Sequence, residues 1–232
     1  MVSEASNRPS RTRGRPPKGS STLSLESIAK AALAEIADGG LTALSVRSVA
    51  RRLSVDNKSL YHHVDGKDGL LNAVADHLLS TMELPPRTGH LETDLRAFAV
   101  TFRSHALKHP EAAILVMTRQ TTSTASLIPL DAAMSALLGA GLPTDRAVHL
   151  LRLIMAILVG TVLREAETRL TFSATEPAAV DKRRSILLAS GRPALMASAD
   201  EIAKIDNDAE FEHALDAMAH LARSQLQRLG RT

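Results

Sequence analysis

Residues 44–67 read LSVRSVARRLSVDNKSLYHHVDGK, and this stretch predicts two short helices joined by a tight turn. In the first helix, apolar residues recur at i, i+3, i+4 and i+7 and form one inward face. Ser45 is of a type that caps helix N-termini, and Asp56 is placed to cap the second helix. Leu60 and Val64 can anchor that second helix to a core, so its other side chains are left outside. The pattern is typical of a helix-turn-helix.

The second helix, expected over residues 57–64, carries side chains of the kind that read DNA. A short exposed helix with hydrogen-bond donors and acceptors, braced by a basic partner helix, is what a major-groove reader needs. Arg47 and Arg51 lie four residues apart on the outward face of the partner helix, toward solvent or phosphate. We therefore expect double-stranded DNA as a partner. The outward residues of the second helix are Asn57, Lys58, Ser59, Tyr61 and His63.

Residues 1–22 hold the chain's excess of positive charge. They contain five Lys and Arg residues against one Glu, whereas the whole chain has a net charge of only +3. Because they are rich in Ser, Pro, Arg and Gly, they cannot bury apolar surface, and we expect a disordered basic arm. Arg13-Gly14-Arg15-Pro16 resembles the core of an AT-hook, whose arginines lie in a narrow A·T minor groove. A solvated basic tail is the alternative.

Helical periodicity continues beyond this region, and no strand pattern persists, so we predict an all-α fold. We expect a three-helix helix-turn-helix DNA-binding domain over residues 23–69 and a helical effector-binding and dimerisation domain over 70–232. Within the second domain, residues 112–117 are expected to form a turn and 172–205 a partly ordered excursion. The other helices are predicted over 67–82, 94–109, 128–138, 144–168 and 208–229.

The predicted helix over 144–168 is apolar nearly all round between residues 150 and 159, where Arg152 is the only interruption. A membrane span needs about 20 apolar residues, and Arg152 and Arg164 break this run, so we expect a fully buried helix and no membrane partner. The helix over 208–229 has an apolar arc wider than one core face requires. This excess predicts packing against a second copy, in a homodimer.

Composition and motifs exclude several function classes. The chain has no cysteine, which excludes disulfides, thiol catalysis and cysteine-based zinc sites and fits a reducing, cytoplasmic location. No secretory signal is expected at the start, because no apolar run is present there. No phosphate-binding loop or nucleophile–base motif occurs, so we predict neither an enzyme nor a cofactor. His105 and His109 have metal-compatible spacing, but Pro110 follows them, and a helix-end position is the simpler interpretation.

The residues from Gly40-Leu41 through Leu70-Leu71 resemble the TetR family of bacterial one-component repressors. The resemblance rests on the two helix faces, the turn and the Leu-Tyr-x-His-Val core, which recur in order. Two later features look like the C-terminal domain of the tetracycline-repressor subgroup: Phe102-Arg103 followed by His109, and Asp208-Ala209-Glu210-Phe211. The resemblance implies a dimeric repressor that binds a palindromic operator and is released by a small-molecule effector. An architectural DNA-binding protein without an effector is the alternative.

The resemblance also implies individual roles in DNA binding. Arg47 would begin the phosphate and base contacts, and the start of the reading helix, Asn57, Lys58 and Ser59, would face base edges. Phosphates would be held by Tyr61, His63 and Lys67.

Three positions depart from the family pattern near the helix-turn-helix. Ser54 stands where such turns usually have Gly, and Gly66 and Gly69 replace a capping residue and a helix former, which predicts a soft joint. Two more departures concern the effector. Val116 and Glu83 occupy the positions of the histidines that tetracycline repressors use for the drug and its magnesium. We therefore expect an effector other than magnesium-tetracycline.

An effector cavity of this family would lie among the helices after Lys67. The candidates here are apolar, adaptable side chains with a single polar group, which suits a flexible aliphatic or mixed ligand. Plain core packing is the alternative for each. These candidates are Phe98, Phe102, His105, Met117, Met134, Leu151 and Met155.

Overall fold

The structure is a computed structural model, and it describes residues 23–118, 124–170 and 176–229. The basic arm, with Arg13 and Arg15, lies outside the described residues. Every regular element in the described ranges is helical and none is a strand, which confirms the predicted all-α class. A 3₁₀ turn (Thr124–Leu127) precedes α7. The α-helices are α1 (Leu25–Ala43), α2 (Val46–Leu53), α3 (Asn57–Tyr61), α4 (Gly66–Ser80), α5 (Leu91–Ala106), α6 (Pro110–Thr118), α7 (Ile128–Gly139), α8 (Thr144–Leu170), α9 (Pro177–Leu188), α10 (Pro193–Ala197), α11 (Ala199–Ala203) and α12 (Asn207–Leu229).

Serine pairs begin the first two helices. The Ser27 backbone N–H donates to Ser24 Oγ (3.1 Å), and the Ser24 N–H donates to Ser27 Oγ (3.0 Å). Ser45 and Ser48 repeat this reciprocal arrangement at the start of α2, with both distances 3.0 Å. Each pair satisfies two backbone donors that the first helical turn would otherwise leave unbonded. The start of each helix is thereby fixed by its own sequence.

Two apolar cores divide the described chain. The first joins α1–α4 with Ala112 of α6, and the second joins α5, α7, α8 and α12. Helix α4 bridges the two, because Leu78 belongs to the first core and Met82, just after the helix, to the second. The boundary predicted after residue 69 therefore falls inside α4. Fully buried side chains of the first core include Ile28, Ile36, Leu60 and Leu70, and those of the second include Leu137, Leu150, Leu158 and Met218.

Three predicted elements differ from the structure. Helix α3 ends at Tyr61 rather than at residue 64, because the Leu60 carbonyl accepts bonds from both the His63 and Val64 N–H groups and closes a turn. Residues 112–117 lie within α6 and are not a turn. Pro110 begins that helix, at a position where its missing N–H costs no hydrogen bond. The excursion predicted over 172–205 contains α9, α10 and α11, which pack on one another.

The expectation that the apolar helix is fully buried was wrong for the single chain. Only 33% of the most apolar 18-residue window of α8 is buried, and Leu153 is 50% exposed. By length and composition α8 could cross a membrane, the one helix to qualify among the described residues, so its length does not exclude a membrane span as we expected. Its buried side packs against α5, α6, α7 and α12, as a core helix does.

Candidate DNA interface and effector pocket

The turn between α2 and α3 contains Ser54 in the left-handed region, with φ 55° and ψ 39°. It is the only non-glycine residue with positive φ in the described part of the chain. The Ser54 N–H donates to the Arg51 carbonyl (3.1 Å), and the Val55 N–H donates to the Ala50 carbonyl (3.0 Å). These bonds close α2 while a residue with a Cβ holds a conformation that favours glycine. Ser54 stands where the family pattern usually has Gly, and the strain expected there lies in the backbone dihedral angles of Ser54.

Asp56 and Leu60 position the short reading helix from its two sides. Asp56 Oδ1 accepts a hydrogen bond from the Lys58 N–H (3.1 Å), and Leu60 is completely buried in the first core. Those residues predicted to contact DNA that the structure describes are exposed, except that Ser59 is half-buried. Tyr61 is 60% exposed although it is aromatic. The exposed residues are Arg47, Asn57, Lys58, Tyr61, His63 and Lys67.

An ion pair that the sequence pattern did not indicate braces α2 against α1. Arg52 Nε donates to Glu35 Oε1 (2.6 Å), and Arg52 Nη2 also pairs with Asp38. The bond from Arg52 lowers the pKa of the buried Glu35 carboxyl below its ordinary value. Because Arg52 is held by two carboxylates, α2 offers Arg47 and Arg51 to a polyanion. Arg51 Nη2 lies 3.9 Å from Glu35 Oε2, but the Arg51 side chain is 76% exposed. No local signal marks a pair separated by 17 residues.

The joint between α3 and α4 is built on two glycines. Gly66 has φ +58°, and a Cβ on Gly69 would lie 3.1 Å from the Val64 backbone. Gly66 therefore suits the left-handed backbone conformation at this joint, and Gly69 allows close packing against Val64. Helix propensity alone indicates neither of these steric reasons. At the same joint, Lys67 Nζ donates to the Leu41 carbonyl (2.8 Å) while the side chain remains exposed. A phosphate would compete with that carbonyl for the ammonium group.

The predicted effector residues separate into three groups. Phe102, His105 and Met117 line one cavity of about 30 Å³, together with Val116, and Phe98 lines another of about 30 Å³ beside the linker before α5. Met134, Leu151 and Met155 line neither cavity and pack in or against the second core. A cavity of this size is far below the several hundred Å³ of sites for drug-sized ligands. Neither cavity is therefore large enough for a drug-sized ligand in this arrangement of the helices.

His105 supplies the polar group of the first cavity, and that group already has a partner. Its Nε2 lies 2.6 Å from the Leu78 carbonyl oxygen, so Nε2 carries the proton and donates. Two further histidines lie close by, His77 on α4 and His109 before α6, and burial lowers the pKa of each below the ordinary value. In the described residues no cluster of three or more His, Asp or Glu side chains could hold a metal ion.

A charge cluster centred on the buried Glu165 ties α5, α8 and α12 together, and no local sequence pattern marks it. Glu165 accepts from Arg103 Nε (2.6 Å) and Nη2 (2.9 Å) and from Arg169 Nη2 (2.9 Å). Arg103 also pairs with Asp208 and lies 4.5 Å from the centre of the Phe211 ring. The hydrogen bonds to Glu165 raise the pKa of Arg103 above its ordinary value. The motif residues Arg103, Asp208 and Phe211 therefore meet around one carboxylate.

Two family models cover the DNA-binding unit and the helices behind it. The model described as bacterial regulatory proteins, tetR family, matches residues 28–74. The model described as tetracyclin repressor-like, C-terminal domain, matches residues 85–220, which is more than half of the chain. The chain belongs to the TetR family of transcriptional regulators. Members of this family are not enzymes, and they typically bind DNA operators and small-molecule effectors as dimers.

Individual TetR-family relatives are similar over different lengths. The tetracycline repressor protein class C of Escherichia coli is 31% identical over 185 residues, which cover 73% of this chain and 83% of the relative. The transcriptional repressor DrrR1 of Streptomyces coeruleorubidus is 30% identical over 202 residues, which cover 81% of this chain and 73% of the relative. A helix-turn-helix regulator of Saccharopolyspora erythraea is 34% identical, but the chain spans only 56% of its length.

Solved structures of the TetR-family protein ActR from Streptomyces coelicolor are also similar. The complex with (S)-DNPA aligns with a TM-score of 0.74 and 25% identity, covering 88% of this chain and 99% of ActR. The complex with actinorhodin aligns with a TM-score of 0.72 and 26% identity, covering 87% of this chain and 96% of ActR. These likenesses extend the family match to nearly the whole described chain.

Proposed function

We propose that this TetR-family regulator is a cytoplasmic homodimeric repressor that binds a palindromic operator and is released by a small-molecule effector. One observation carries the proposal. The polar start of the reading helix is exposed, while Leu60 of the same helix is completely buried. A rigid module that presents donors and acceptors on a short helix suits the major groove. Two modules of a dimer would enter successive major grooves about one helical turn apart.

We assign contacts with DNA bases to the start of α3, and contacts with the DNA backbone to residues that lie around it. Asn57, Lys58 and Ser59 would face base edges, with the half-buried Ser59 the most restricted of the three. Arg47 would contact phosphate and base, and Tyr61, His63 and Lys67 would hold phosphates. Arg13 and Arg15 of the basic arm would add salt-dependent affinity in the flanking minor groove.

The dimer would form through the uncovered face of α8 together with α12. Leu153, Ala156 and Gly160 are exposed on α8 at helical spacing, and α12 packs beside that helix. Small residues on such a face let two helix backbones approach closely. Burying this face would also give α8 the full burial that its composition predicts.

The effector would enter where Phe102, His105 and Met117 already line a small cavity between α4, α5 and α6. Val116 on the wall of that cavity cannot bind magnesium, and Glu83 is exposed outside it, which argues against magnesium-tetracycline. Because the cavity has a volume of only about 30 Å³, a drug-sized effector would have to favour a more open arrangement of these helices. It would release DNA only if that arrangement binds the operator less well.

Fluorescence anisotropy with the protein's own promoter region tests the DNA-binding part. Asn57→Ala should relax base preference, whereas Lys67→Ala should weaken binding to all sequences alike and reduce the salt dependence. Lys182→Ala, an exposed lysine on α9, is the matched control and should bind as the wild type does. Equal affinity of the wild type for promoter and scrambled DNA at physiological salt would instead indicate the architectural alternative.

Thermal unfolding with a set of small hydrophobic compounds tests the effector part. A ligand that binds the native state raises the midpoint as its concentration exceeds its Kd. We expect at least one compound to stabilise the wild type and to reduce its affinity for the operator. If every stabilising compound leaves DNA binding unchanged, release by an effector is wrong.

A further inference from the structure

The last turn of α4 is bonded to α5 by a side chain of the effector cavity. An α-helix leaves its last four carbonyls without partners inside the helix, and α4 ends at Ser80. The His77 carbonyl accepts the Thr81 N–H (3.0 Å). The neighbouring Leu78 carbonyl accepts a hydrogen bond from His105 Nε2, on another helix (2.6 Å). His105 therefore caps the end of α4 from outside that helix.

The same imidazole is the polar group of the cavity between α4, α5 and α6. On α4 the cavity is lined by Leu78, Leu79 and Met82, so the space lies against the last turn of that helix. The described side chains that line the cavity are apolar apart from His105. An occupant therefore meets one side-chain donor among these residues, and that donor is already bonded to α4.

Helix α4 connects this bond to the DNA-binding unit. Its first half belongs to the first core, where Leu70 and Val74 are completely buried together with Leu60 of the reading helix. Packed interiors have low compressibility and transmit strain, so a shift of the end of α4 would move the side chains that support the reading helix. The bond between His105 and Leu78 therefore affects how α3 is held.

A ligand can use the His105 donor only by taking it from the Leu78 carbonyl. A hydrocarbon would leave this bond intact, whereas a carbonyl or ether oxygen would compete for Nε2. Leu78 is a buried residue, and a buried acceptor that loses its partner is costly. That cost falls if the end of α4 moves toward water, and the same movement would enlarge a cavity of about 30 Å³.

We propose, on the basis of the repressor function, that the effector is an apolar compound with a hydrogen-bond acceptor that takes His105 Nε2 from the Leu78 carbonyl. The loss of this cap releases the last turn of α4 and shifts the population toward an arrangement with lower operator affinity. His105 is thus a positioning residue in the free protein and a ligand-binding residue in the bound protein.

Replacement of His105 tests the positioning role without an effector. His105→Leu removes the donor, whereas His105→Gln keeps an amide donor of similar reach. We expect His105→Leu to bind the promoter about tenfold more weakly than the wild type, since an unpaired buried acceptor costs about that factor. His105→Gln should bind as the wild type does. His90→Leu, the same change at an exposed residue before α5, is the matched control and should also bind normally.

Hydrogen exchange of the free proteins separates this role from a general loss of stability. Amides at the end of α4 should exchange faster in His105→Leu than in the wild type, while those of α12 keep their rates. Unchanged exchange at the end of α4, or a uniform increase along the chain, would overturn the capping role whether or not the protein is a repressor. Normal promoter binding by His105→Leu, beside a wild type that rejects scrambled DNA, would overturn the proposal and leave the repressor function intact.

Two small compounds test the need for an acceptor. Acetophenone and ethylbenzene have the same carbon skeleton, but only the ketone carries a carbonyl oxygen. At millimolar concentration acetophenone should weaken promoter binding by the wild type and by His105→Gln, and it should not weaken binding by His105→Leu any further. Ethylbenzene should change none of the three. An effect of ethylbenzene on the wild type as large as that of acetophenone, or no effect of either compound, would overturn the proposed effector class.

Discussion

Glu165→Gln should destabilise the protein strongly, because it removes the buried negative charge with which Arg103 is paired. The Glu165 side chain is 3% exposed, and Arg103, which donates two bonds to it, is 17% exposed. Removing one partner of a buried ion pair costs about 3–5 kcal/mol, since the other charge stays behind uncompensated. Arg103 keeps Asp208 as a second partner, so we expect the lower end, about 3 kcal/mol. At about 2–4 °C per kcal/mol for a chain of this size, the unfolding midpoint should fall by about 6–12 °C.

Urea unfolding followed by circular dichroism at pH 7 measures this loss, with all proteins at one concentration because a dimer's stability depends on it. The matched control is Glu212→Gln on α12. It loses an ion pair with Arg96 of α5, whose side chains are 57% and 51% exposed. Exposed pairs contribute about 0–1 kcal/mol, so this variant should remain close to the wild type. Equal destabilisation by the two substitutions would show that burial of Glu165 does not determine the loss of stability.

Three further predictions concern the turn, the histidines and the dimer. Ser54→Gly should stabilise the protein by about 0.5 kcal/mol in the same urea assay, because relief of left-handed strain slightly exceeds the entropy that glycine adds to the unfolded chain; a lower stability than that of Ser54→Ala would contradict this. The pKa of His77 and of His109 is lowered from 6.5, so the stability present above pH 6.5 should fall as pH drops below it. Replacing both histidines with Gln should flatten that decline, and an unchanged slope would speak against it. Gly160→Leu should give a folded monomer by light scattering, because a Cβ there meets nothing within 4 Å in the single chain, whereas a dimer of wild-type strength would exclude this face as the interface.

Local signals were sufficient to predict the DNA-binding unit. The caps at Ser45 and Asp56 act on neighbouring backbone, and the apolar spacing of α2 indicates which face is inward. Periodicity and capping therefore place the starts of α2 and α3 correctly. The end of α3 was misplaced because Val64 continues the apolar period although a turn has already begun at Leu60. Apolar spacing indicates which side chains are buried. It does not indicate which backbone carbonyl accepts each hydrogen bond.

The parts that sequence reasoning missed depend on residues far apart in the chain. Glu165 meets Arg103 across 62 positions, and Glu35 meets Arg52 across 17, so neither pair leaves a local pattern. Pro110 was interpreted as a stop because proline ends helices as well as beginning them, and only the packing of α6 against α8 decides between the two. Glu111 Oε2, a buried atom of α6 without a hydrogen-bond partner among the described residues, could likewise be found only once the helices were placed together.

Footprinting across the protein's own promoter shows whether α3 reads base sequence. We predict protection of one palindromic site whose half-sites are centred about one helical turn apart. Asn57→Ala should lose this protection at concentrations where Lys182→Ala keeps it. Uniform protection along the promoter, unchanged by Asn57→Ala, would contradict the assignment of α3 as a reader of base sequence.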